Sequence, residues 1–292
     1  MRLPWRVKPV KVKQLLENAV KKIADMSETA LLDAQLLLSK ALGKDRLYVI
    51  THIEDEVEEK AESEFWGMVC ERGNGRPLQY ITGSQEFMGL DFYVSEGVLI
   101  PRPDTEILVE EVIRLAGGFE KPVIADIGCG SGAISVSLAK YVKGAFVYSL
   151  DISKAALDIG RTNAKINGVE ESIEFMESDI LLALEDSGIM FDIIVSNPPY
   201  IRKKDIEELH LQVRGYEPLT ALDGGTDGLE FYRRITKESL AFLKPGGYLA
   251  YEVGHDQAGD VNRIMEACGG FGELRILSDL AGIERVVIGR KL

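Results

Sequence analysis

Two short segments of this chain combine residue types and spacing that could do chemistry. The first is Asn197-Pro198-Pro199-Tyr200, directly after the apolar run Phe191-Asp-Ile-Ile-Val-Ser196. Paired prolines hold φ at about −65° and cannot continue a sheet, so the chain must leave the strand in one rigid extended shape. Asn197 Oδ1 and the Pro198 carbonyl can accept the two hydrogens of a planar –NH₂ group, while Tyr200 packs on its π face. Amide and exocyclic amine nitrogens are poor nucleophiles because their lone pair is delocalised. Holding both N–H groups aims the nitrogen and favours the charge that develops as a C–N bond forms, with no strong base required. Asn197, Pro198 and Tyr200 are therefore the candidate catalytic residues.

The second segment is Asp126-Ile-Gly-Cys-Gly-Ser-Gly132, which follows an apolar strand pattern and opens a helix. Glycines belong where the backbone turns sharply and a ligand comes too close for a Cβ, so Gly128, Cys129, Gly130, Ser131 and Gly132 are candidate cofactor contacts. Gly128-x-Gly130-x-x-Ala133 also fits the dinucleotide fingerprint. Asp126 favours S-adenosylmethionine, because its charge suits an ammonium better than a pyrophosphate. Asp151 ends the next strand, where a carboxylate can accept both ribose hydroxyls, a feature shared with NAD enzymes. Asp179, after the third strand, is placed to meet an adenine amino group, with Ile180 against the ring. The plainer alternative makes Asp126 and Asp151 helix caps. His52, His210 and His255 are isolated, with no metal-ligand spacing. Cys129 reads as a tolerated small residue. Glu230, Glu252 and His255 fall near sheet ends and are assigned no chemistry.

The elements that must position these segments differ along the chain. Up to about residue 85 the apolar spacing is helical: Leu15, Leu16, Ala19, Val20 and Ile23 form one face, and Leu31 to Leu42 another, ended by Gly43. Asp25 with Glu28 predicts a capping box before that second helix. A third helix is predicted over about Val57–Arg72, and residues 73–83 read as an inter-domain linker. Phe87, Leu90, Phe92 and Val94 suggest a hairpin around Gly89. After Pro103 strands and helices alternate. Strands are predicted at 122–127, 145–150, 172–176, 191–196, 247–253, 273–277 and 284–289, and helices at 132–140, 154–167 and 230–243. This pattern predicts an α/β, Rossmann-like, doubly wound sheet with helices on both faces, preceded by a small helical domain. The expected boundaries are 1–83 and 84–292.

The 292-residue length fits two domains. A net charge of −13 counts against a protein whose affinity comes from neutralising phosphates. Residues 1–22 hold seven Lys/Arg, whereas Glu54 to Glu64 hold seven acids; either is a solvated face or a partner surface. Three separated cysteines give no disulfide framework, which points to a reducing compartment. With no signal peptide and no membrane-spanning run, a soluble cytoplasmic protein is expected.

Leu99-Ile-Pro-Arg-Pro-Asp-Thr-Glu106, the Asp126–Gly132 loop, Val195-Ser-Asn-Pro-Pro-Tyr-Ile201 and Arg214-Gly-Tyr-Glu-Pro-Leu-Thr-Ala-Leu222 together resemble the bacterial HemK/PrmC family. The resemblance runs from about Arg76 to Arg290 and extends to Leu32-Asp-Ala-Gln-Leu-Leu-Leu38. It implies a class I S-adenosylmethionine-dependent methyltransferase. The implied reaction is N5-methylation of the glutamine in the Gly-Gly-Gln loop of peptide-chain release factors, with the helical domain helping to recognise the factor. By the same resemblance the glycine loop, Asp151, Ile180 and Asn197 contact the cofactor. Asn197, Pro198, Pro199 and Tyr200 hold the glutamine amide, and Arg102, Pro103 and Glu106 shape the pocket. Some relatives carry an aromatic residue at the Ile180 position, so adenine here is covered by apolar contact without ring stacking. The rivals are a sister glutamine methyltransferase acting on a ribosomal protein, an adenine or guanine N-methyltransferase acting on nucleic acid, a non-catalytic nucleoside-binding module and a dehydrogenase.

Overall fold

The computed structural model describes residues 10–292; the basic segment before Val10, with Pro4, Trp5 and Pro9, lies outside it. The chain forms two units: one holds the residues up to Gly83 together with Leu211–Tyr216, the other Ser84–His210 and Glu217–Leu292.

In the first unit, a two-residue strand β1 (Val10–Lys11) pairs antiparallel with β2 (Glu56–Val57). Helix α1 (Val12–Ile23) turns Val12, Leu15, Leu16, Ala19 and Ile23 inward at helical spacing. They meet α2 (Ala30–Leu42) and α4 (Glu59–Gly73) around Leu37, Leu38, Phe65 and Val69. Within this core the Arg72 guanidinium donates from Nε to Asp33 Oδ2 at 2.7 Å and from Nη2 to the Met26 carbonyl. The third helix begins two residues later than predicted, because Val57 is paired in β2.

Two other expectations are corrected, and one helix was not foreseen. The Asp25/Glu28 capping box does not form; α2 starts after Thr29. A short helix α3 (Arg46–Thr51), capped by Asp45 accepting from Tyr48 N, escapes periodicity because it has under two turns. The supposed linker contains α5 (Leu78–Thr82), between Pro77 and Gly83, whose Ile81 joins the helical core. Its Gly and Pro mark the ends of a short helix instead of a free tether. Leu211–Arg214 supply a one-turn helix, α9, to this unit.

The second unit opens with the hairpin β3 (Ser84–Phe87) and β4 (Leu90–Tyr93), turning through Met88 and Gly89. Its sheet contains β5 (Val123–Ile127), β6 (Phe146–Asp151), β7 (Ile173–Glu177), β8 (Phe191–Ser196), β9 (Leu243–Glu252), β10 (Phe271–Ser278) and β11 (Glu284–Lys291), in the order β10-β11-β9-β8-β5-β6-β7. Strands β5 to β9 run parallel, and β11 is antiparallel to both its neighbours. The chain lays β6 and β7 on one side of β5 and then returns to place β8 on the other. The order thus reverses between β5 and β8, where ligands of such sheets bind at the carboxyl ends.

Alternation along the strands feeds two cores. Ile124, Val147, Ile193 and Val195 meet α6 (Pro103–Ala116), α7 (Ala133–Tyr141) and α8 (Lys154–Asn167) on one face. Ala125, Leu150, Ile194 and Tyr251 meet α10 (Glu230–Phe242) and α11 (Ala258–Cys268) on the other. Helices α6 and α11 are absent from the sequence reading. The first turn of α6 is Pro103-Asp-Thr-Glu106, whose proline at the first helical position and early acids are helix-start signals.

Candidate active site

The carboxyl ends of β5, β6 and β8 open on a cavity of about 670 Å³. From β5 the chain enters the glycine loop with φ of 74° at Gly128 and 53° at Gly130, and both line the cavity. A Cβ at either would meet no other atom within 4 Å, so the room there belongs to whatever occupies the cavity. Gly132 serves packing instead: a Cβ would sit 3.1 Å from the Gly160 Cα on α8. Cys129 and Ser131 are buried and, like Gly132, lie off the cavity wall, so these three sequence candidates shape the loop without lining the site. Burial pushes the Cys129 thiol well up, which keeps it protonated and unreactive.

Asp151 lines the cavity and fixes the loop at once. Its Oδ2 accepts from Gly130 N at 2.9 Å and its Oδ1 from Ser153 N at 2.8 Å, leaving lone pairs for a ligand's hydroxyls. Burial raises its pKa, opposed by those backbone N–H groups. Asp126 follows the plainer of its two expected roles, at the start of the helix that the loop opens. Fully buried, it is aimed at α7, accepting from Ser135 N and Oγ, while its Oδ1 has no partner and it does not line the cavity. Desolvation pushes it up to about 7. Asp179 and Ile180 both line the cavity; Asp179 is held by Arg234 Nη2 at 2.8 Å. Ile180 adopts φ 54°, a left-handed conformation rare for a β-branched residue, and presents an apolar side chain there.

Asn197, Pro198 and Pro199 form the facing wall. Asn197 Nδ2 donates to Thr105 Oγ1 at 3.2 Å, which leaves Oδ1 as the group able to accept from a ligand. Behind the prolines, Ile201 N donates to Leu222 O and Gly224 N to Ile201 O, clamping the tetrapeptide to the loop at 222–228. Gln257 Nε2 caps the Tyr200 carbonyl at 3.0 Å. The Tyr200 side chain does not line the cavity: it packs beside Gly254 against the inner core, and burial pushes its hydroxyl up to about 12. Arg102 and Pro103 also stand off the cavity wall. Arg102 Nη2 donates to Glu217 Oε1, whose carboxylate is buried with Oε2 unpartnered, and Pro103 starts α6. Glu106 accepts from Met88 N, which ties α6 to the hairpin.

Sequence reasoning missed the wall from Pro218 to Ala221 as a lining element, and Thr105 and Glu252 behind Asn197. The first sits in a segment singled out only by resemblance. Thr105 lies in another such segment and Glu252 was placed only near a sheet end; their meeting at Asn197 depends on β9 pairing with β8 and on α6 reaching that edge. Among the described residues no group of His, Cys, Asp or Glu could hold a metal, and no helix is long and apolar enough to cross a membrane.

Residues 14–83 match the family model described as the PrmC N-terminal domain, and residues 103–213 that of the methyltransferase small domain. The release factor glutamine methyltransferase of Clostridium acetobutylicum is 43% identical over 280 residues, covering 96% of this chain and 98% of its own. Its namesake from Moorella thermoacetica is 42% identical over 94% of this chain and 96% of its own. Among solved structures, the hMettl16 catalytic domain superposes with a TM-score of 0.55 at 14% identity, covering 80% of this chain and 82% of that one. The fold is that of the class I methyltransferases.

Proposed function

We propose, from the premise that this chain belongs to the release factor glutamine methyltransferase family, that it methylates N5 of the glutamine side chain in the Gly-Gly-Gln loop of peptide-chain release factors, with S-adenosylmethionine as donor. One observation carries the reading: the Asn197-Pro198-Pro199 wall and the Gly128/Gly130/Asp151 cradle face the same cavity. The donor fits that cradle. The two glycines leave room where a Cβ would intrude, Asp151 offers lone pairs to a ribose, and Ile180 offers an apolar face to adenine. When bound, S-adenosylmethionine supplies an electrophilic methyl group on a sulfonium.

The chain's own contribution is orientation and electrostatics. Asn197 Oδ1 and the Pro198 carbonyl accept the two N–H hydrogens of the acceptor amide, which turns the nitrogen toward the methyl group. As the C–N bond forms the nitrogen gains positive charge, and the two oxygens already aimed at its hydrogens stabilise that charge without reorganising. One of those hydrogens then leaves to solvent as a proton, and the products are the N-methyl amide and S-adenosylhomocysteine, the neutral thioether left once the methyl–sulfur bond has broken. Tyr200 supports the wall through its backbone carbonyl, held by Gln257. Recognition of the factor is assigned to the first unit, and the work to the cytoplasm.

The test is transfer of labelled methyl from S-adenosylmethionine to purified release factor, beside a Gly-Gly-Ala variant, ribosomal proteins and duplex DNA. Label that is lost when the glutamine is replaced supports the reading. Label on ribosomal protein or DNA alone overturns its choice of substrate.

A further inference from the structure

Glu252 ends β9, is buried, and has no part in the chemistry above. Ser196 of β8 stands opposite Tyr251 of the parallel neighbour β9, so the residues that follow, Asn197 and Glu252, lie side by side at the carboxyl edge. Thr105, in the first turn of α6, reaches the same point. It accepts from Asn197 Nδ2, and Thr105 and Asn197 both stand close enough to Glu252 to hold the pKa of its carboxyl down, while the buried Glu252 Oε2 has no hydrogen-bond partner of its own. A hydroxyl has one proton to give. If Thr105 donates it to the carboxylate, Thr105 can only accept from Asn197. Amide O and NH₂ are nearly alike in shape, so this network, and not packing, decides which of them faces the cavity.

We infer that Glu252 is a positioning residue for methyl transfer: accepting from Thr105 and Asn197, it holds the Asn197 amide with Oδ1 toward the acceptor nitrogen. The inference rests on the glutamine-methylation reading. The polarity of the network depends on one proton. Burial pushes Glu252 up to about 7, with Asp104 raising it further and Thr105, Arg285 and Asn197 opposing. Around it stand Asp104 of α6, ion-paired with Arg285 of β11 at 2.8 Å, the Tyr200 hydroxyl, and Tyr232 of α10, which donates to the Glu252 carbonyl. Protonated, the carboxyl becomes a donor to Thr105. Thr105 then donates onward, Asn197 turns Oδ1 inward to accept, and Nδ2 meets the substrate's N–H groups. Turnover therefore falls as pH drops through about 7.

The experiment compares wild type with Glu252→Gln, Thr105→Val and Thr105→Ser for kcat, KM for the factor, S-adenosylmethionine affinity and melting temperature, between about pH 6 and about pH 9. The expected result for Glu252→Gln and Thr105→Val is a roughly 10- to 100-fold loss of kcat at unchanged cofactor affinity, the scale set by a misplaced reacting group. Thr105→Ser stays near wild type, and the acid limb of the kcat profile vanishes in Glu252→Gln. Unchanged kcat with the acid limb intact overturns the inference, as does a loss matched by equal falls in cofactor affinity and melting temperature. If Glu252→Gln fails to fold, Thr105→Val decides. Should wild type methylate no factor, the proposed function fails by itself, and the Asn197 side-chain amide resonance still tests the network. A titration of that resonance near pH 7 that is absent in Thr105→Val supports the network, and a flat response overturns it.

Discussion

At Asn197 a single side-chain oxygen faces the cavity while its nitrogen is spent on Thr105. Asn197→Ala should thus cost roughly 100- to 1000-fold in kcat, the scale of losing a preorganised partner to a charging atom, with cofactor affinity nearly unchanged. Single-turnover transfer and calorimetry read the two halves separately. Asp151→Ala should do the opposite, weakening S-adenosylmethionine by roughly 10- to 100-fold, about 1–3 kcal/mol for charged hydrogen bonds. Undiminished affinity would remove Asp151 from the site. Asp126 gives a pH signature instead. Its folded pKa lies near 7, above its unfolded value, so the native state holds a proton that the unfolded chain releases. Its contribution to stability is full at low pH and is lost as pH rises through about 7. Asp126→Asn, which cannot ionise, should gain on wild type in melting temperature between about pH 5 and pH 8 without cofactor; a pH-independent difference would show that Asp126 does not titrate there. Asn197 and Asp151 were legible because a motif and a strand end announce them. Asp126 carried two readings, toward a ligand or toward the helix, and sequence could not choose between them, since it cannot say which side of a strand end is solvent and which is α7.

Among the elements, the loop at 222–228 acts as a backing plate for the tetrapeptide. Gly228 has φ 76°, and a Cβ there would lie 2.4 Å from the Tyr200 carbonyl oxygen and 2.5 Å from Gln257 Nε2. Gly228→Ala should lose about 1–3 kcal/mol of stability and turnover with it, because the backbone it displaces belongs to the tetrapeptide that walls the cavity. Thermal unfolding and transfer assays check both, and wild-type behaviour in either would show the loop to be compliant. The parallel strands were legible as apolar runs and α8 as a long amphipathic pattern with Gly168 at its end. Helices α3 and α5 were not, being too short for a 3.6-residue period to register. The start of α6 was not legible as a helix, although Pro103 and its acids serve a helix N-terminus while Thr105 in that same turn supports the site. The meeting of Thr105, Asn197 and Glu252 depends on β9 lying next to β8, a long-range pairing with no trace in local sequence.

For the molecule as a whole, two units with separate cores predict unfolding in two steps. Asp33→Ala strips the partner from the buried Arg72 guanidinium and should cost the first unit about 3–5 kcal/mol. Calorimetry should show one transition moved and the other in place; a single shifted transition would mean that the units unfold together. The two-part architecture was legible as a change from helical spacing to strand–helix alternation. The recruitment of Leu211–Tyr216 into the helical unit was not, because no local pattern reveals which core a four-residue helix will join.

The sheet order β10-β11-β9 has a consequence for biosynthesis. Strand β11, Glu284–Lys291, is wedged between two strands that leave the ribosome before it. While it is still in the exit tunnel, β9 keeps an unpaired edge and β10 has no place in the sheet. That open edge is a template for pairing with neighbouring chains. The nascent protein is thus exposed to aggregation until β11 emerges, pairs with β9 and gives β10 its place in the sheet.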